Sequence, residues 1–268
     1  MLRPPHTRYS QLHVYHLTLA RMPKIGDPDY IGGWLEDGSA ILFFHKNREE
    51  EMESLCAREG CEVIYQAEMS YSDWEAGLAV ESFTCGDMVF APVWESGPAD
   101  IKIDPSVVFG SGFHPSTRLA LEGMLDLLGQ RPDIARVLDL GCGTGILSLA
   151  AAKRGVPEVV AMDNNSLACR VAEENAARNH LKILVQETDL RKKIPDTGRF
   201  DLVVANLYHG LLIDLFRNEK FWQARYYLIA GFIPAMEEEL MAALPEPPPK
   251  FIDRRRRERW CLWLMQKQ

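Results

Sequence analysis

The run Asp139-Leu140-Gly141-Cys142-Gly143-Thr144-Gly145 constrains the fold of this chain more than any other feature. It follows the apolar pair Val137-Leu138 and precedes a helical run at residues 146–154, so the three glycines occupy a strand-to-helix turn. Glycine lets the backbone turn sharply there and lets a ligand approach where a Cβ would clash. Dinucleotide-binding folds use such a turn as well, and two details separate this one. Asp139, two positions before the first glycine, can face a cationic ligand. The Gly-x-Gly-x-Gly spacing also omits the third-glycine position of the dinucleotide fingerprint. S-adenosylmethionine, with an ammonium and a sulfonium, is a ligand of the required sign.

The residues around the turn alternate between two periodicities. Strand-like runs at 136–140, 158–162, 182–187 and 201–205 are separated by helical runs at 146–154 and 166–179. Alternation of this kind predicts parallel strands with crossover helices in an open doubly wound sheet. Further on, 226–230 reads as a fifth strand, 235–243 as a helix, and 250–253 and 260–265 as two strands joined through 254–259. A linker that short permits only an antiparallel pair, because a parallel crossover needs about a dozen residues. The expected fold class is therefore α/β, a class I methyltransferase sheet closing in an antiparallel C-terminal hairpin.

Ahead of it the pattern differs. Residues 12–19 and 40–45 read as strands, 47–58 as a helix, 61–67 as a strand, 71–76 as a helical turn and 88–93 as a strand ending near Pro92. That β-β-α-β order is compatible with a small ferredoxin-like α+β domain. Gly97 and Pro98 among charged residues mark a connector. The chain divides accordingly into an α+β domain at 1–94, a linker and lid-like segment at 95–117, and a catalytic domain at 118–268.

Two further polar residues fall at strand ends, where open α/β sheets bind ligands. Asp163 closes the second strand, 22 residues after Gly141, at a place where an acid can accept from both ribose hydroxyls. Alone it would read as a cap for the helix after Asn164-Asn165-Ser166. Asn206 follows Val204-Ala205, and its carbonyl can accept from an attacking amine and aim the nitrogen lone pair. A turn-forming Asn is the competing reading. The segment from Ile103 to Thr117 contains two glycines, two prolines and hydroxyl residues that open a helix, and it can form a wall on the pocket.

The strings Asp104-Pro105, Phe109-Gly110-Ser111-Gly112, His114-Pro115-Ser116-Thr117, Asp139 through Gly145, and Val204-Ala205-Asn206 together closely resemble the ribosomal protein L11 methyltransferases, the PrmA family. Asp73-Trp74-Glu75, Pro92-Val93-Trp94 and residues 254–260 look like that family too, so the likeness runs over roughly residues 70–268. The resemblance implies Thr117, Gly141, Asp163 and Asn206 as S-adenosyl-L-methionine positions, beside Asp139, Gly143 and Gly145 of the loop, with Asn206 also as the catalytic residue. It implies amino groups of a basic ribosomal protein as the target and the N-terminal domain as its recognition element. Two departures stand out: Leu207-Tyr208-His209 replaces a small apolar sequence, and the N-terminal domain is shorter.

Charge and composition agree with this reading. The chain carries 38 acidic and 30 basic side chains, net −8, a sign that attracts a basic partner and repels nucleic acid. Within that background the arginines at 254–257 read as a solvated or ion-paired edge rather than a nucleic-acid site. Six cysteines lack zinc-site spacing and read as reduced thiols of a cytoplasmic protein. The basic, Pro-rich residues 1–8 lead into no signal-like apolar stretch, and no run approaches the roughly 18 apolar residues of a membrane span. No metal cluster is visible, and neither His114 nor His209 can be assigned as a base. Three alternatives stay open: the same chemistry on another protein or a small molecule, a nicotinamide-dependent oxidoreductase, and a non-catalytic S-adenosylmethionine-binding module.

Overall fold

The computed structural model describes residues 9–36, 38–75 and 80–268. The basic lead at 1–8 and the end of the expected helical turn at Ala76 lie outside the described residues. The described residues form three sheets. The first contains β1 (Gln11–Leu17), β2 (Tyr30–Glu36), β3 (Ser39–Phe44) and, after helix α1 (Glu49–Glu59), β4 (Val63–Ser70). Its order is β2-β3-β1-β4, and the pairings between neighbours are antiparallel. This is the ferredoxin-like strand order, with residues 18–29 running irregularly where that fold places its first helix.

β2 is absent from the sequence reading because Gly32 and Gly33 interrupt its pattern. Both glycines are there for close approach. A Cβ on Gly33 would lie 2.3 Å from the Ile41 carbonyl oxygen of the neighbouring strand, and one on Gly32 would lie 2.6 Å from a Leu167 methyl. One face of this sheet packs on α1 through Tyr15, Leu17 and Phe44 against Met52, Leu55 and Cys56. The other face, with Leu12, Val14 and Phe43, packs on Val107, Val108, Leu167 and Val171. After the short helix α2 (Tyr71–Trp74), the strands β5 (Phe83–Cys85), β6 (Met88–Pro92) and β7 (Ile101–Ile103) make the second, three-stranded sheet.

Helix α3 (Pro115–Gln130) leads into the third sheet. Its elements in chain order are β8 (Arg136–Leu140), α4 (Ile146–Lys153), β9 (Glu158–Asp163), α5 (Ser166–Arg178), β10 (Leu184–Glu187), β11 (Leu202–Asn206), α6 (His209–Phe216), β12 (Tyr226–Phe232), α7 (Glu237–Ala242), β13 (Lys250–Arg257) and β14 (Trp260–Gln266). The strand order is β10-β9-β8-β11-β12-β14-β13. β10 through β12 are parallel, while β14 runs antiparallel to both β12 and β13. Helices cover both faces of this mostly parallel sheet, as burying both sides of β11 and β12 requires. The expected α/β sheet with its antiparallel C-terminal hairpin is the observed architecture. The chain order reverses between β8 and β11, which puts a crevice at the carboxyl ends of β8, β9 and β11.

β13 is longer than expected. It runs through Arg257, so only Glu258 and Arg259 form the turn, and Glu258 has a positive φ of 54°. Alternation along the strand divides the arginines between the two faces. Arg255 meets Asp126 and Arg257 meets Glu122, both on α3, while Arg254 and Arg256 are exposed. The edge is thus ion-paired on one face and solvated on the other.

Candidate functional site

The turn between β8 and α4 needs its glycines for the chain's own packing. Gly141, Gly143 and Gly145 have φ of 72°, 53° and 81°, a region that L side chains rarely adopt. A Cβ on Gly143 would lie 2.0 Å from the Phe109 carbonyl oxygen, and one on Gly141 would lie 2.3 Å from a Leu207 methyl. The loop is therefore roofed by Phe109 and Gly110, which lie directly on it. Thr144 donates its N–H to the Phe109 carbonyl at 3.0 Å and its hydroxyl to the Gly110 carbonyl.

Asp139 sits in β8 beneath the turn and is 1% exposed. Its Oδ2 accepts from the Ser148 hydroxyl at 2.6 Å and from the Ser148 N–H at 3.2 Å, while Oδ1 is buried without a partner. Burial pushes its carboxyl up to about 6, against the Ser148 bonds and with some help from the charge of Asp163. Asp163 ends β9 and ties the same turn in place. Its Oδ2 accepts from Gly143 N–H and its Oδ1 from Asn165 N–H, each at 2.9 Å. Burial raises this carboxyl too, against those backbone bonds. The cap of α5 is Asn165, whose Oδ1 accepts from Leu167 and Ala168, so Asp163 is not that helix's cap.

Asn206 ends β11 on the other side of β8. Its amide donates to the Thr117 hydroxyl at 3.3 Å, and its Oδ1 is buried with no partner. Thr117 is placed by the start of α3, where Pro115 supplies a preset φ and the His114 ring accepts from Ser116 N–H at 3.3 Å as the cap. Burial, more than the nearby Arg259 charge, holds that imidazole below its ordinary value. The His114 ring meets Trp260 edge-on at 4.6 Å and Phe109 at 5.2 Å, so the β13–β14 turn reaches the site. Phe109 and Tyr208 are each 52% exposed, which leaves two aromatic rings open beside buried polar groups. Arg191 donates to the Tyr208 hydroxyl through both Nε and Nη2, at 3.0 and 2.5 Å. His209 Nε2 lies 3.3 Å from Glu239 Oε2, directed at α7 rather than at the site.

The structure therefore places Thr117, Asp139, Gly141, Gly143, Gly145, Asp163 and Asn206 around one turn and leaves His209 outside it. Asp163 holds Gly143, Thr117 holds Asn206, and Asp139 lies under the turn that these flank. Comparison with known proteins identifies the family. Residues 45–268 match the family model described as Ribosomal protein L11 methyltransferase (PrmA). The chain belongs to this family.

Its relatives include the ribosomal protein L11 methyltransferase of Caldicellulosiruptor saccharolyticus, 31% identical over 210 residues, covering 75% of this chain and 68% of that protein. The counterpart from Agathobacter rectalis is 31% identical over 220 residues, with the same two coverages. Among solved structures, the ribosomal protein L11 methylase of Lactobacillus delbrueckii subsp. bulgaricus superposes with a TM-score of 0.61 at 28% identity, covering 70% of this chain and 99% of that one. The methyltransferase reading replaces the oxidoreductase alternative.

S-adenosylmethionine fits the residues present, on one observation above others. Asp139 Oδ1 and Asn206 Oδ1 are acceptors buried without partners near the same crevice, and buried acceptors that the fold leaves unpaired call for a donor or a cation. A cavity of about 610 Å³, lined by Phe216, Trp222, Tyr227 and Pro247, lies instead at the amino end of β12 and shares no residue with the site. Among the described residues no cluster of His, Cys, Asp and Glu can hold a metal, and no helix is long and apolar enough to cross a membrane. The sequence reading missed Glu75 and Ser111 as partners of each other, and Tyr208 as a ring held by Arg191. Only the fold makes these pairs adjacent, since they are 36 and 17 residues apart.

Proposed function

We propose that this chain is a cytoplasmic protein N-methyltransferase that takes its methyl group from S-adenosyl-L-methionine and delivers it to amino groups of ribosomal protein L11. When bound, the cofactor supplies an electrophilic methyl on a sulfonium. The chain's own residues do the rest. Asp139, with one free buried oxygen, balances the cationic end. Asp163 accepts from ribose hydroxyls with the lone pairs left over from Gly143 and Asn165.

Asn206 is the residue that acts on the nucleophile. Its Oδ1 accepts an N–H from the incoming amine and so aims the lone pair, while the bond to Thr117 fixes the direction of the amide. The unpartnered Oδ1, held in place by that bond, is the single observation that carries the assignment. A lysine amine has a pKa of about 10.4, so it must arrive neutral, and burial around Asn206 favours that form. Positioning of this kind is worth on the order of 7 kcal/mol or more in favourable cases.

Residues 1–94 serve as the recognition domain, 95–117 as linker and lid, and 118–268 as the catalytic domain. The net charge of −8 favours encounter with a basic ribosomal protein. Titration calorimetry with S-adenosylmethionine and with NAD tests the cofactor. Binding of the first alone is the expected result, and preference for the second would overturn the proposal.

A further inference from the structure

Residues 109–113 roof the glycine turn and carry Phe109 to the mouth of the site, yet the backbone there has little stiffness of its own. Gly110 and Gly112 flank Ser111 with φ of 99° and 91°. Glycines on both sides leave Ser111 as the side chain through which the middle of the segment is anchored. Its hydroxyl donates to Glu75 Oε2 at 2.6 Å, and Ser111 is 5% exposed. Glu75 is itself gripped, because the Tyr71 hydroxyl lies 3.2 Å from Glu75 Oε1 and also 2.7 Å from the Ser106 carbonyl.

The two ends of the segment are held differently. Thr144 binds the carbonyls of Phe109 and Gly110, and Arg118 donates to the carbonyl of Gly112 while its guanidinium lies 3.2 Å above the Phe83 ring. The turn following the N-terminal sheet thus reaches the lid at Ser106 through Tyr71 and at Ser111 through the Glu75 carboxylate. Asp73-Trp74-Glu75 was part of the family resemblance, but nothing in the methyl-transfer chemistry uses it.

We propose that Glu75 is a positioning residue for methyl transfer, fixing Ser111 and through it the segment that carries Phe109, whose backbone lies on the glycine turn and whose ring meets His114. This rests on the reading of the site as a ribosomal protein methyltransferase. Glu75 touches neither the methyl donor nor the amine. It acts by holding one glycine-flanked serine, so its loss releases the middle of the 109–113 segment while Asp139, Asp163 and the glycine turn keep their own bonds. Burial raises this carboxyl, and the two hydroxyl donors pull it back toward the charged form in which it accepts from both.

The test uses full-length protein with purified ribosomal protein L11 as acceptor, in wild type, Glu75→Ala, Glu75→Gln, Ser111→Ala and the Glu75→Ala/Ser111→Ala double variant. Glu75→Ala should lower kcat/KM for the acceptor about tenfold or more, as loss of a hydrogen bond to a charged group implies, while the Kd for S-adenosylmethionine changes less than about threefold. Glu75→Gln, which keeps an acceptor for Ser111, should recover most of the loss. Ser111→Ala should reproduce it, and the Glu75→Ala/Ser111→Ala double variant should be no worse than the worse single variant, because Glu75→Ala and Ser111→Ala each remove the same bond. Unfolding midpoints measured alongside exclude a general loss of fold.

Glu75→Ala with wild-type acceptor kinetics would overturn the proposal. So would variants of equal stability in which Glu75→Gln is as impaired as Glu75→Ala, or in which the two single effects simply add. Wild-type protein that binds the cofactor yet leaves the ribosomal protein unmethylated would instead refute the underlying reading.

Discussion

Raising the pH from about 4 to neutrality should weaken the fold and strengthen the hold on a cationic ligand through one carboxyl group, that of Asp139. In the folded chain burial places this group at about 6, whereas an unfolded chain titrates an aspartate near 3.9. The folded state therefore holds the proton more tightly. The stability that this preference contributes is fully present below about 4 and is lost as the pH rises through about 6. The displacement corresponds to a loss on the order of 3 kcal/mol at neutral pH.

Asp139→Asn keeps an acceptor for Ser148 and cannot ionise, so it removes that dependence. The assay is urea unfolding of wild type and variant at pH 4.5 and 7.5 (about 3 pH units apart, to either side of the folded-state titration). Carboxylates held low by arginine, such as Asp133 beside Arg225, act in the opposite sense but are common to both proteins, so the difference between them isolates Asp139. The variant should gain on wild type as the pH rises, while its affinity for S-adenosylmethionine should fall and lose its pH dependence. Parallel stability profiles in the two proteins would refute the argument, as would cofactor affinity in wild type that does not rise between pH 5 and 7 (about one unit to either side of the folded value).

Other substitutions probe the remaining parts of the site. Asp163→Asn sets an amide donor against Gly143 N–H or Asn165 N–H, so it should cost about 1 to 3 kcal/mol, divided between unfolding free energy and cofactor Kd, and calorimetry with denaturant titration reads both. Gly143→Ala combines an unfavourable φ with a Cβ 2.0 Å from a backbone oxygen, and it should cost about 2 kcal/mol or more of stability together with cofactor binding. A variant that binds normally would contradict the roofed-loop geometry. Asn206→Ala should lower turnover more than cofactor affinity, and an equal fall in both would make Asn206 a binding residue only. Arg257→Gln, which breaks the half-exposed pair with Glu122, should change unfolding by only about 0 to 1 kcal/mol, as thermal melts will show.

The C-terminal sheet was legible in the sequence because each of its signals is local. A glycine turn between an apolar run and a helix, strands spaced for crossovers, and a linker too short for a parallel return all act over a few residues. Asn206 and Asp163 were legible for the same reason, as each ends a strand. What escaped has a common cause. β2 was hidden because its two glycines answer to contacts with Ile41 and Leu167, which are distant in sequence or lie on another strand. β5 and β7 are three residues each, too short to show a period. β13 was cut short because arginines read as a polar loop, although their alternation places Arg255 and Arg257 against α3. The glycines of the turn were expected to make room for a ligand. The structure adds that Phe109 and Leu207 already press on two of them.

The most direct test of the account is to incubate the full-length protein with labelled S-adenosylmethionine and unmodified large-subunit ribosomal proteins, and to locate the label by mass spectrometry. The site described here predicts label on amino groups of ribosomal protein L11, and its loss when Asn206 is replaced by Ala. Label that falls only on another protein, or transfer to L11 that persists undiminished without the Asn206 amide, would contradict it.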